Sequence, residues 1–159
     1  MPLHQETRLL RYSADQMYAI VADIESYPKF LPWCSKLVVR NREMKGELEI
    51  VTAEMVVSYP PLRESYVSLV TLDPKGGKIE ARHIEGPFEK LDTRWRFVPL
   101  AKGSEVHFLI DFAFRSRLLS ALAGTAFGFV AAKMAEAFVR RAEQLYGGAQ
   151  PSESKHHIV

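Results

Sequence analysis

Two hydrophobic periods divide the chain. Met17, Ile20, Val21 and Ile24 fall at i, i+3, i+4 and i+7, the spacing of one helix face. Ser13-Ala14-Asp15-Gln16, just ahead of them, is a capping box. The Ser13 hydroxyl accepts from the Gln16 amide, the Gln16 side chain reaches back, and Tyr12 and Met17 occupy the two staple positions. A strand over 4–12 precedes this helix. A shorter helix follows Ser26, with Pro28 in its first turn and Pro32 limiting its length. From Cys34 to Phe114 the period becomes two. It predicts strands at 35–42, 47–58, 63–72, 78–84, 88–98 and 104–114, separated by short breaks that mostly carry Gly or Pro. Short connections make neighbouring strands antiparallel. Leu91, Thr93, Trp95 and Phe97 share one face, opposite Asp92, Arg94 and Arg96. Val106, Phe108, Ile110, Phe112 and Phe114 form an apolar row.

The period then returns to helical. One helix is predicted over 116–146, roughly 45 Å long. Its first half is apolar almost all round and is expected to be heavily buried. Its second half has a solvent side with a Glu136–Arg140 pair, and Gly147-Gly148 ends it. The expected architecture is α+β: a seven-stranded antiparallel sheet curled around a long C-terminal helix, with two short helices after the first strand closing one end. Residues 1–147 form one domain in this reading, and 148–159 a disordered tail.

Composition supports a globular chain: 159 residues, 47% hydrophobic, 25% charged and 11% aromatic. The net charge of +2, from 21 basic and 19 acidic residues, argues against DNA binding by bulk charge. Cys34 is the single cysteine, so no intrachain disulfide or cysteine-based metal cluster can form. The longest uncharged stretch, 118–132, is 15 residues and contains Gly124 and Gly128. A spanning helix needs about 20. The N-terminus lacks the basic start and apolar stretch of a signal peptide. A cytoplasmic protein is expected, with peripheral contact at the inner membrane as a further option.

No nucleophile elbow, zinc-protease motif or phosphate loop is present. His83 lies on the face of Ile79 and Ala81 and is read as a satisfied or edge histidine. Cys34 is read as a buried, inert thiol, and Asp111 as solvent-facing. No catalytic residue, metal site or cofactor is assigned. Binding has more support. Phe30, Leu31, Pro32 and Trp33 belong to an aromatic, proline-rich connector that reads either as a plug on the core or as the gate of an apolar pocket. Trp95, Phe97, Phe112, Phe114 and the helix residues Leu119, Leu122, Ala123, Phe127 and Val130 are the candidate wall, against the alternative of a close-packed core. Gly124 and Gly128, one turn apart, allow close strand approach, ligand room or a helix–helix contact. Arg82, Arg94, Arg96, Lys36, Arg40 and Arg42 are expected on the outer face, interleaved with Glu47, Glu49, Glu80 and Asp92 as cross-strand ion pairs.

The run from Tyr12 to Tyr18, followed by Val21-Ala22-Asp23-Ile24-Glu25-Ser26-Tyr27-Pro28-Lys29-Phe30-Leu31-Pro32-Trp33-Cys34, resembles the opening of the coenzyme Q-binding family. That family lies within the START-like polyketide cyclase/dehydrase superfamily, related to Bet v 1. Glu64-Ser65-Tyr66-Val67-Ser68, Glu85-Gly86-Pro87-Phe88 with Trp95-Arg96-Phe97, and the helix with Phe127, Met134, Phe138 and Arg141 match further family segments in order. The resemblance spans about residues 3–146. It implies a helix-grip fold with a cavity for ubiquinone or a similar polyisoprenoid lipid, and a non-enzymatic chaperone role in respiration and ubiquinone synthesis. Mitochondrial members carry a targeting peptide, so a chain opening at the first strand is expected to be a bacterial member. Some bacterial relatives are ribosome-association toxins that bind the large subunit, so this is an alternative function and partner. A cyclase-like enzyme is the third reading. Family members commonly have Phe-Glu-Phe where this chain has Phe112-Ala113-Phe114.

Overall fold

In the computed structural model, residues 3–59, 62–124 and 127–147 are described. The strands are β1 (Leu3–Leu10), β2 (Cys34–Lys45), β3 (Leu48–Tyr59), β4 (Leu62–Asp73), β5 (Lys78–Glu85), β6 (Phe88–Leu100) and β7 (Gly103–Phe114). They form one antiparallel sheet in the order β1-β7-β6-β5-β4-β3-β2. Six of the seven strands therefore follow chain order, as short connections require. β1 alone makes a long excursion and adds to the far side of β7, with Leu3 opposite Asp111 and Leu10 opposite Ser104.

Helix α1 (Ala14–Ala22) starts on the predicted cap. The Gln16 amide donates to Ser13 Oγ at 3.0 Å, and the Ser13 amide to Gln16 Oε1 at 2.9 Å. Tyr12, Met17, Ile20, Val21 and Ile24 are buried. A single 3₁₀ turn (Ile24–Ser26) leads into α2 (Tyr27–Phe30), which carries proline in its first turn. The turn between β6 and β7 sits hard against this end. Gly103 has φ +102°, and a Cβ there would lie 1.9 Å from the Leu10 carbonyl oxygen, so only glycine fits.

The long C-terminal helix is present as expected. It is described as α3 (Arg117–Gly124) and α4 (Phe127–Ala142), followed by a π-helical turn (Glu143–Gly147). Thr125, Ala126, Gly148 and the expected tail lie outside the described residues. Its two ends are also covered unequally. In α4, Ala131, Ala135, Phe138, Val139 and Ala142 are buried against the sheet and α1. Among the described residues the expectation of a heavily buried first half fails: Leu118 is 70% exposed and Phe129 58%. A second aromatic cluster of Tyr66, Phe88, Phe112 and Phe114 lies on the sheet's inner face near that end, and Leu118 of α3 stays outside it.

The core has two parts. The larger joins α1, α4 and the inner face around Trp95, Phe97, Phe108 and Ile110. The smaller is the second aromatic cluster, in which Phe88 stacks on Phe114 at 4.8 Å and Phe112 on Phe127 at 4.3 Å.

Candidate functional site

Between the sheet and α4 lies a cavity of about 110 Å³. Strand pairing explains it. Ala53 of β3 faces Ser68 of β4, and Ala81 of β5 faces both Val70 of β4 and Thr93 of β6. Ala53, Ser68, Ala81 and Thr93 all line the cavity. Four small side chains thus meet at the centre of the inner face, where large ones would otherwise reach α4. Val70, Ile79, Trp95, Phe108 and Ile110 form the flanking wall, and Met134 and Phe138 of α4 the roof. Ile24, Tyr27 and Leu31 close one side, from the connector between α1 and β2.

The sequence candidates separate within this frame. Leu31 and Trp95 line the cavity. Phe30 instead packs edge-on against Phe138, centroids 5.4 Å apart, beneath the Arg141 guanidinium. Phe97 faces Tyr18 of α1 at 5.6 Å, because its place on β6 lies beyond Trp95, away from the hollow. Phe112, Phe114 and Phe127 belong to the second cluster, and the half-buried Val130 is not in the cavity wall. The side chains of Leu119, Leu122 and Ala123 lie outside the described residues. Pro32 and Trp33 are half-buried beside the site without lining it. Trp33 has φ +66°, a left-handed conformation in which a non-glycine residue is strained. Its ring leans on exposed Phe129, centroids 6.5 Å apart, joining the connector to the start of α4.

Sequence reasoning missed the small residues and Met55, Met134 and Phe138 as wall. Their strands and helix were legible, but only the cross-strand register shows that they meet. Among the described residues the wall has no carboxylate, imidazole or thiol. Its polar atoms are few. Tyr27 donates its hydroxyl to the Val21 carbonyl at 2.5 Å. Burial holds the Tyr27 and Tyr66 phenols well above the usual tyrosine range, so both stay protonated donors.

Outside the cavity, Cys34 is buried and bonded only weakly to the Lys36 carbonyl, and burial pushes its thiol up to about 11. That suits the inert reading. Asp111 accepts from Lys90 Nζ at 2.7 Å on the outer face. His83 points inward, between Tyr66 and Phe88, with Nε2 buried and unpartnered. Burial first, and the Arg115 guanidinium second, hold its imidazole below the ordinary histidine range. No group of three or more potential metal ligands occurs among the described residues. None of the described helices is long and apolar enough to cross a membrane.

Residues 10–139 match the family described as polyketide cyclase / dehydrase and lipid transport. The chain belongs to this family. Its members include proteins of different names. "Ribosome association toxin RatA" of Rickettsia prowazekii is 36% identical over 146 residues, covering 89% of this chain and 96% of that protein. "Coenzyme Q-binding protein COQ10 homolog B, mitochondrial" of Xenopus laevis is 35% identical over 149 residues, covering 91% of this chain and 59% of that longer protein. A START superfamily protein from Mycobacterium smegmatis superposes with a TM-score of 0.76 at 21% identity, covering 90% of this chain and 98% of that one. That likeness concerns the fold alone, which is START-like, as the sequence resemblance implied.

Proposed function

We propose that this family member is a carrier of an apolar lipid, ubiquinone being the preferred candidate, held between the sheet and α4. The observation that carries the reading is the hollow itself: an almost wholly apolar wall, made by small residues in register, in a fold that could have closed there. The similarity to a protein named as coenzyme Q-binding adds the ligand class. The wall's lack of titratable acids and bases among the described residues favours carriage over catalysis. At about 110 Å³ the hollow is below the roughly 150 Å³ that accommodates benzene in an engineered cavity. Loading therefore requires expansion. Met55 and Met134 are flexible wall residues suited to it, and the connector from Phe30 to Trp33 acts as the gate. Each buried CH₂ returns about 0.8 kcal/mol, so a few isoprene units offset the opening. The exposed Phe129, beside Trp33, offers an apolar surface for exchange with a bilayer.

The test is incubation with ubiquinone-loaded vesicles, re-isolation of the protein, solvent extraction and a redox difference spectrum. Near-stoichiometric quinone is expected for the parent protein and a large loss for Ala81→Phe, which fills the hollow. An empty extract from the parent protein overturns the reading.

A second reading, docking on the large ribosomal subunit, is favoured by the similarity to proteins named as ribosome association toxins and by the outer sheet face. Arg40 there is ion-paired with Glu54, whereas Arg42 and Glu49, expected on that face, lie opposite inward-facing Val51 and Leu72 past the β2 bulge, and Arg42 pairs with Glu25 and Glu49. Lys78, Arg94 and Arg96 form no ion pair within 4 Å among the described residues, and Lys78 faces Arg96 across β5 and β6. Sedimentation with isolated large subunits, lost on Arg94→Glu/Arg96→Glu, would establish this reading in place of the first.

A further inference from the structure

Four residues of the cavity wall carry hydroxyls; that of Tyr27 is satisfied by the Val21 carbonyl, and the other three are poorly satisfied. Tyr66 is 8% exposed, yet its hydroxyl finds only the Met55 thioether, at 3.9 Å. A thioether is a weak acceptor, and a buried phenol normally has a good partner. Ser68 and Thr93 also line the hollow, and neither hydroxyl forms a hydrogen bond among the described residues. All three line the inner face, on β4 and on β6 across β5. Tyr66 and Ser68 are successive inward residues of β4, while Thr93 of β6 faces Ala81, whose β4 neighbour is Val70, the next inward residue after Ser68. An alanine at position 81 leaves the space between β4 and β6 open. An empty apolar hollow has no use for three donors, and valine or phenylalanine would pack these strands as well.

We propose that Tyr66, Ser68 and Thr93 form the polar end of the cavity and donate hydrogen bonds to the ring oxygens of a quinone-type head group, leaving the tail to the apolar wall. The assignment rests on the carrier reading above and adds selection for an oxygenated head over a plain hydrocarbon. All three hydroxyls can donate, and both carbonyl and methoxy oxygens can accept. Tyr66 retains its proton throughout the neutral range, so it remains a donor there.

Trp95 lies in the same wall, so entry of the quinone, an electron acceptor, quenches its fluorescence, and squalene binding is read by displacement of the quinone. Short-tail ubiquinone and squalene, an isoprenoid hydrocarbon without oxygens, are titrated into the parent protein, Tyr66→Phe and Ser68→Ala/Thr93→Val. The parent is expected to prefer the quinone. Tyr66→Phe should raise the quinone Kd about fivefold, the scale of one net hydrogen bond, and leave squalene binding unchanged. Its melting temperature should not fall, since the hydroxyl lost has no strong partner. The double variant should shift selectivity in the same direction. Quinone binding by Tyr66→Phe equal to that of the parent, or an equal loss for both ligands, overturns the assignment alone. Failure of the parent to bind quinone at all overturns the carrier reading and this assignment with it.

Discussion

The two ends of the C-terminal helix have similar apolar sequence but different surroundings. The α4 end lies on the sheet: Ala131, Ala135 and Ala142 let it sit close, and Phe138 meets Trp95 at 5.0 Å and Tyr27 at 5.4 Å. At the other end Leu118 of α3 and Phe129 at the start of α4 face outward, while Phe127 packs on the second aromatic cluster. Apolar periodicity records which side chains are able to be buried. What covers them depends on how much partner surface is left. One end serves stability, and the other is free to meet something else.

The largest test of this contrast is Phe138→Ala. Loss of a buried aromatic that links α4, α2 and β6 should lower the unfolding free energy by about 3–5 kcal/mol in urea denaturation. A loss under about 1 kcal/mol would mean that this end is no better anchored than the other. A smaller effect is expected at His83, which packs on Tyr66 and Phe88 of the second cluster. Its folded-state pKa is depressed, so the unfolded chain binds the proton first as pH falls through the ordinary imidazole range near about 6.5. The stability tied to neutral His83 is present above that range and lost below it. His83→Gln should therefore lose less melting temperature than the parent between about pH 7.5 and 5.5. Parallel curves would detach His83 from the cluster's packing. The smallest effect is Phe129→Ser, within about 0.5 kcal/mol of the parent. A markedly larger destabilisation would place Phe129 in the fold rather than at its free surface.

Much of this was legible in the sequence. The capping box at Ser13 and Gln16 formed as written, since cap chemistry is local. The seven strands fell within a few residues of their predicted bounds, because Gly and Pro mark the turns and period two marks the faces. The START-like fold followed from these together with the family resemblance. What was not legible depends on contacts distant in sequence. The connector, Trp95 and the helix were candidate cavity elements. Yet Phe97, two residues from Trp95 on the same face, lies beside Tyr18 instead. That difference is set by where α1 crosses the sheet, which no local pattern encodes. The meeting of Ala53, Ser68, Ala81 and Thr93 is likewise a property of four strands in register, and each residue alone looks unremarkable in its strand.

That patch also separates two design problems that proteins often have to solve together. The strands hold one another through backbone groups, and the roof is anchored by Phe138 and the buried alanines of α4. Neither depends on the side-chain volume at positions 53, 68, 81 and 93. Exchanging alanine for valine, or serine for alanine, at these four positions would reshape the hollow in steps of one or two carbon atoms while every ladder hydrogen bond stayed in place. A scaffold built this way can change the molecule it accommodates by small side-chain edits, without renegotiating how it folds.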